Sequence, residues 1–121
     1  MEKSTFSARW NIANDPDTPP ENLEELSKFD WLIRNAVAKN RNTSKETLRK
    51  LAYDPNPTVR MNVAGNPHTP EDVLHDLSND MDKMVRIGVS RNPETEIETV
   101  QKLAEDRNYT VRKNAIESGR V

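Results

Sequence analysis

Five arginines, Arg9, Arg34, Arg60, Arg86 and Arg112, recur along the chain at intervals of 25, 26, 26 and 26 residues. A guanidinium is permanently charged and presents a planar fork of donors that matches carboxylates and phosphates. Such a row is therefore either an anion-binding stripe or one side of a set of ion pairs. Asp54, Asp80 and Asp106 each stand six residues before one of these arginines. If successive layers of the chain pack about 10 Å apart, Arg34, Arg60, Arg86 and Arg112 form a line of like charges that must be compensated or used. The constant offset lets each aspartate cap the following helix and reach the guanidinium of its own or an adjacent repeat. The result is a ladder of charge-assisted hydrogen bonds. An open stripe for phosphates is the alternative. Lys39, Arg41 and Arg91 differ from these, because they fall in loops, align with neutral Gly65 and Pro67, and have no acidic row beside them. They are candidates for a binding rim.

Catalytic chemistry finds little support. His75 lies between Asp72 and Asp76 and His68 lies in a loop, but such neighbours on a charged helix face are far more often solvated than metal ligands or bases. Gly65, Gly88 and Gly119 are too dispersed for a phosphate loop. With no cysteine in the chain, disulfides, thiolate metal sites and a cysteine nucleophile are excluded. The expectation is a protein without catalytic residues, metal or cofactor. Trp10 and Trp31 could stack on a ligand; as large residues of the first repeat they are expected instead to close the N-terminal end of the core.

What positions these side chains is a repeat. Only 33% of the 121 residues are apolar, below the roughly 45–50% of ordinary domains, yet the apolar residues sit at fixed phases. Ile33, Val59, Val85 and Val111 precede the arginines, Val37, Val63, Val89 and Ala115 follow three residues later, and Leu23, Leu48, Leu74 and Val100 begin a second stripe. Repeats run approximately over 9–33, 34–59, 60–85 and 86–111, with a partial one at 112–121, all within a single domain spanning 1–121. Thr18, Thr43, Thr69 and Thr95 are each followed three residues on by an acid, a spacing that predicts a capping box and an α-helix of about ten residues. Pro19 and Pro70 then take the first helical position. The second piece, such as Val59 to Ala64, is trapped between Pro55 and Pro57 before it and Gly65, Asn66 and Pro67 after it. One or two turns are expected there, α or 3₁₀. No single repeat can bury its stripe, so the repeats must stack into an all-α solenoid.

The run Val59-Arg60-Met61-Asn62-Val63-Ala64-Gly65-Asn66-Pro67-His68-Thr69-Pro70, continuing through Leu74 and Leu77, resembles the leucine-rich repeat variant, a bacterial repeat of this length, over roughly Ala8 to Ser118. The resemblance implies a right-handed superhelix of alternating α and 3₁₀ helices without sheet; a HEAT-like stack is the alternative. For the family's founding type it also implies a cysteine-ligated iron–sulfur cluster, which a chain without cysteine does not carry over. It assigns no activity and no catalytic residues.

Charge is banded: residues 31–62 carry a net charge of +5, residues 1–30 of -4 and residues 63–88 of -3. Glu25, Lys50, Asp76 and Lys102 form one row of alternating sign, with Lys45 beside Glu71, which reads as ordinary inter-repeat neutralisation. The function expected from the architecture is a non-enzymatic binding scaffold for a protein partner. Recognition of a nucleic-acid backbone or other polyanion through the arginine row and the basic second repeat is the alternative. The last repeat leaves Ile116 and Val111 without a following layer, so end-to-end self-association is also expected. The stretch Met1 to Arg9 lacks the apolar core of a signal peptide, and no run has the roughly 20 apolar residues of a membrane span. A cytoplasmic protein without membrane contact is the expectation.

Overall fold

The computed structural model describes residues 5–121; Met1–Ser4, included above in the repeat domain and in the N-terminal stretch, lie outside the described residues. The chain forms α1 (Phe6–Asn14), α2 (Pro20–Leu26), α3 (Trp31–Lys39), α4 (Lys45–Leu51), α5 (Pro57–Gly65), α6 (Glu71–Leu77), α7 (Lys83–Arg91), α8 (Ile97–Leu103) and α9 (Tyr109–Glu117). Nine-residue and seven-residue helices alternate, and the described residues contain no strand. None of these helices is long and apolar enough to cross a membrane.

Each nine-residue helix packs on the next of its kind, α1 on α3, α3 on α5, α5 on α7 and α7 on α9, while the seven-residue helices pack chiefly on the nine-residue helices flanking them. One row is thus closed up and the other is spread, which puts the nine-residue row on the inside of a curved stack. Between the rows lies a continuous core in which Leu23, Ile33, Val37, Leu48, Val59, Val63, Leu74, Val85, Val89, Val100 and Val111 are wholly buried. α5 and α7 approach closely: a Cβ placed on Gly88 would stand 2.9 Å from Ala64 Cβ. Glycine there sets how tightly the two helices close.

The helix lengths invert the sequence expectation. The piece expected to run about ten residues has seven, because Ser27, Ala52, Ser78 and Ala104 end it as C-caps directly after the last leucine. The piece expected to be short has nine residues and is α rather than 3₁₀. Pro57, read as a barrier, is its first residue, where the missing N–H costs nothing. Asp30, Asn56, Asp82 and Asn108 cap these helices by accepting backbone N–H groups.

The threonines do not cap the helices that follow them. Thr18, Thr43, Thr69 and Thr95 are buried, and their hydroxyls donate backwards to the carbonyls of Ile12, Val37, Val63 and Val89 at 2.6–2.7 Å. The end of a helix leaves carbonyls without partners, and a buried hydroxyl must donate; that pairing wins over capping. The N-caps are instead Pro19, Ser44, Pro70 and Glu96, of which only Ser44 accepts through its side chain, from the Thr47 N–H.

Candidate functional site

The arginine row closes into a ladder of ion pairs, in which Arg34, Arg60 and Arg86 each hold the aspartate twenty residues further on. Arg34 grips Asp54 with Nε to Oδ1 at 2.6 Å and Nη2 to Oδ2 at 3.2 Å; Arg60 grips Asp80 at 2.8 and 3.2 Å, and Arg86 grips Asp106 at 2.9 and 3.3 Å. The remaining nitrogen turns back to the chain just before its own helix. Arg60 Nη1 donates to the Asp54 carbonyl and Arg86 Nη1 to the Asp80 carbonyl, both at 2.7 Å. Each aspartate therefore serves two layers, its carboxylate bound by the preceding arginine and its carbonyl by the following one. The carboxylate also accepts the backbone N–H two residues on, at Asn56, Asp82 and Asn108. Asp106 is held below the ordinary carboxylate range: burial pushes it up, but the Asn108 N–H and the Arg86 guanidinium more than offset that. Arg60 is held above the ordinary arginine value chiefly by its hydrogen bond to Asp80.

The ladder changes at its ends. In the first layer Phe29 stands where the aspartate partner of Arg9 would be, and the guanidinium of Arg9 lies over its ring at 4.1 Å. In the last, Arg112 Nη1 donates to the Asp106 carbonyl at 2.8 Å, as in the other layers, and its guanidinium lies 5.8 Å from the Tyr109 ring.

A second ladder was missed in the sequence. Asn40, Asn66 and Asn92 are buried, and each donates two amide hydrogens into the preceding repeat. Asn66 reaches the carbonyls of Ala38 and Asn40 at 2.9 and 3.0 Å, and Asn92 those of Ala64 and Asn66 at 2.8 and 3.0 Å. Asn40 does the same with Ala13 and Asp15. Their 26-residue spacing, equal to that of the arginines, is the signal that could have found them.

Of the three cations expected in loops only Arg41 lies in one, since Lys39 and Arg91 are the last residues of their helices; the three line two adjoining depressions. Met61, Asn62, Gly65, Met84, Ile87, Gly88 and Arg91 line a depression of about 380 Å³ between α5 and α7. A neighbouring depression of about 310 Å³ is lined by Lys39 and Arg41 and shares Asn62 and Gly65 with the first. Lys39, Gly65 and Arg91 are the last residues of α3, α5 and α7, so the groove opens where a glycine interrupts a row of cations. A Cβ on Gly65 would meet nothing within 4 Å. Lys39, Arg41 and Arg91 are exposed, in contrast to the paired Arg34, Arg60 and Arg86.

Other candidates are not drawn together. His75 is on the exposed face of α6 with Nδ1 3.2 Å from Thr99 Oγ1, His68 is exposed in its loop, and no group able to hold a metal ion occurs among the described residues. Trp10 and Trp31 do not close the core: they remain 45% and 41% exposed, because they stand one residue after and three before the ladder arginine, off the buried stripe. Outer charges pair across layers, Arg49 with Asp72 at 2.6 Å and Lys50 with Glu24 at 3.5 Å. Ile116 is exposed as expected; Val111 is buried in α9, which packs on α7 and α8.

A stack of helical layers around one continuous core, clipped by side chains that reach from repeat to repeat, defines a helical-repeat solenoid, a fold of binding scaffolds in general. The chain has the architecture of the leucine-rich repeat variant. A solved structure described as "a leucine-rich repeat variant with a novel repetitive protein structural motif" aligns with it at a TM-score of 0.75 and 26% identity, over 98% of this chain and 47% of that one. The chain thus spans about half the length of that protein. No family model matches the sequence, and no curated protein does.

Proposed function

We propose that this protein is a non-enzymatic scaffold that binds another protein along the face of its nine-residue helices, with the groove between α5 and α7 at the centre of the contact. The groove itself supports the reading. In a chain poor in apolar residues, Met61, Met84 and Ile87 line a depression that no side chain of the protein fills, and Met84 is 47% exposed. Flexible thioethers suit a surface that must fit a partner's side chain. Polyanion binding through the arginine row is the weaker reading, because Arg34, Arg60 and Arg86 already hold carboxylates.

Photo-crosslinking tests this. A photoreactive residue in place of Met84 is expected to capture a protein in cell extract, and one in place of Tyr53, on the outer edge, is not. Gly65→Leu, which fills the groove, is expected to abolish the Met84 crosslink while leaving melting unimpaired. A crosslink that survives Gly65→Leu, or a nuclease-sensitive one, would overturn the proposal.

A further inference from the structure

Resting on the reading of that groove as a protein-binding surface, we infer that the segment it takes is an extended acidic peptide, with an apolar side chain over Met61, Met84 and Ile87 and carboxylates on Lys39, Arg41 and Arg91. The two depressions share Asn62 and Gly65, so the apolar floor and the cations belong to one surface. Lys39 and Arg91 end helices two layers apart, which at about 10 Å per layer separates their positions by about 20 Å. An extended chain rises about 3.3 Å per residue, so about six residues cover that span.

The cations are available. No hydrogen bond or ion pair engages the side chain of Lys39, Arg41 or Arg91 among the described residues, whereas the neighbouring Arg60 and Arg86 are satisfied by Asp80 and Asp106. Asn62 donates its amide to Asn35 Oδ1 and to the Thr58 carbonyl, which leaves its own oxygen to accept a peptide N–H. A separate depression beside His68 is acidic on balance, its lining carrying Glu71, Asp72, Glu94 and Glu96 against the single cation Lys45. An acidic chain is repelled from there and confined to the basic side, so the charge pattern fixes which edge it follows.

Fluorescence anisotropy with synthetic peptides tests the inference. The probe is a short labelled peptide of aspartates and glutamates around a central leucine, compared with a lysine counterpart, an uncharged counterpart retaining the leucine, and a single-stranded oligonucleotide. The acidic peptide is expected to bind, with affinity falling as salt rises. Joint reversal of Lys39, Arg41 and Arg91 to glutamate is expected to weaken it about tenfold or more, and Gly65→Leu to remove it, with circular dichroism and melting retained in both variants. Equal binding of the uncharged peptide, blocked by Gly65→Leu, overturns the acidic inference and leaves the scaffold reading intact. Failure of every peptide also overturns it, and the Met84 crosslink then judges the scaffold separately. Tighter binding of the oligonucleotide through the same three cations overturns both.

Discussion

Arg86 and Arg91 stand on the same helix, α7, and meet opposite fates. Arg86 is 3% exposed in its side chain, forked onto Asp106 and donating to the Asp80 and Met81 carbonyls just before its helix. Arg91, at the end of the helix, is exposed beside an unfilled groove. The difference is one of supply. Arg34, Arg60 and Arg86 each meet an aspartate that the next layer delivers at a fixed offset, while the row of Lys39, Gly65 and Arg91 reaches an acid only at Glu117 in the last layer, where Lys113 takes it. A permanent charge enters the interior only with its counterion and hydrogen bonds attached; one without them remains on the surface, free to engage a partner.

Truncating the two arginines should separate the regions most. Arg86→Ala leaves Asp106 buried and unpaired and is expected to cost about 3–5 kcal/mol, whereas Arg91→Ala is expected to lie within about 0.5 kcal/mol of wild type. Urea denaturation of both variants measures this, and equal losses would dissolve the distinction.

The two helical glycines repeat the contrast with a smaller effect. Gly88→Ala forces a methyl against Ala64 and should cost about 1–3 kcal/mol as α5 and α7 move apart. Gly65→Ala meets open space in a helix and should stabilise by a few tenths up to about 1 kcal/mol. Thermal melting of the pair decides whether α5 and α7 close tightly at one end of their contact and stand open at the other.

The smallest effect is in acid. The Asp106 carboxyl is lower in pKa folded than its ordinary value of 3.8. The rung therefore adds stability above that value and loses it as the pH falls through the folded one. The stability gap between wild type and Asp106→Asn should be full at neutral pH and narrow on acidification below 3.8. A gap that widened in acid would mean that the ladder does not hold Asp106 ionised.

The outer edge sharpens the comparison in another way. Arg49 and Asp72 are both well exposed and still pair, their pKa values displaced upward and downward chiefly by the hydrogen bond between them. Pairing alone thus does not mark the structural ladder. Burial does, together with the second set of bonds from each guanidinium to the chain.

The 25- and 26-residue periods, the core positions and the Arg–Asp offset were readable directly, because a stack of like layers repeats whatever each layer must bury or neutralise at one phase. Helix extent was not readable. Thr69 and Asp72 at capping-box spacing look the same whether the hydroxyl accepts forward or donates backward, and the choice belongs to the Val63 carbonyl, brought near only by the fold. Pro57 as barrier or as first helical residue is decided likewise, by the Asn56 cap that precedes it. The cross-repeat reach of Asn66 to Ala38 and Asn40 lies beyond any local reading, since its partners are 28 and 26 residues away.

The candidate site divides in the same way. Lys39, Arg41 and Arg91 were legible as charges without an acidic row, a property of spacing alone. That Met61, Met84 and Ile87 lie beside them, around the gap at Gly65, was not, because residues on α5 and α7 become neighbours only when the nine-residue helices close up. Which residues recur in each layer, and hence the stack and its ion-pair alphabet, can be read from the chain alone. Which partner each polar group takes and where the surface is left open follow only from the folded layers, because hydrogen bonds and grooves depend on distances between layers that a period in sequence does not contain.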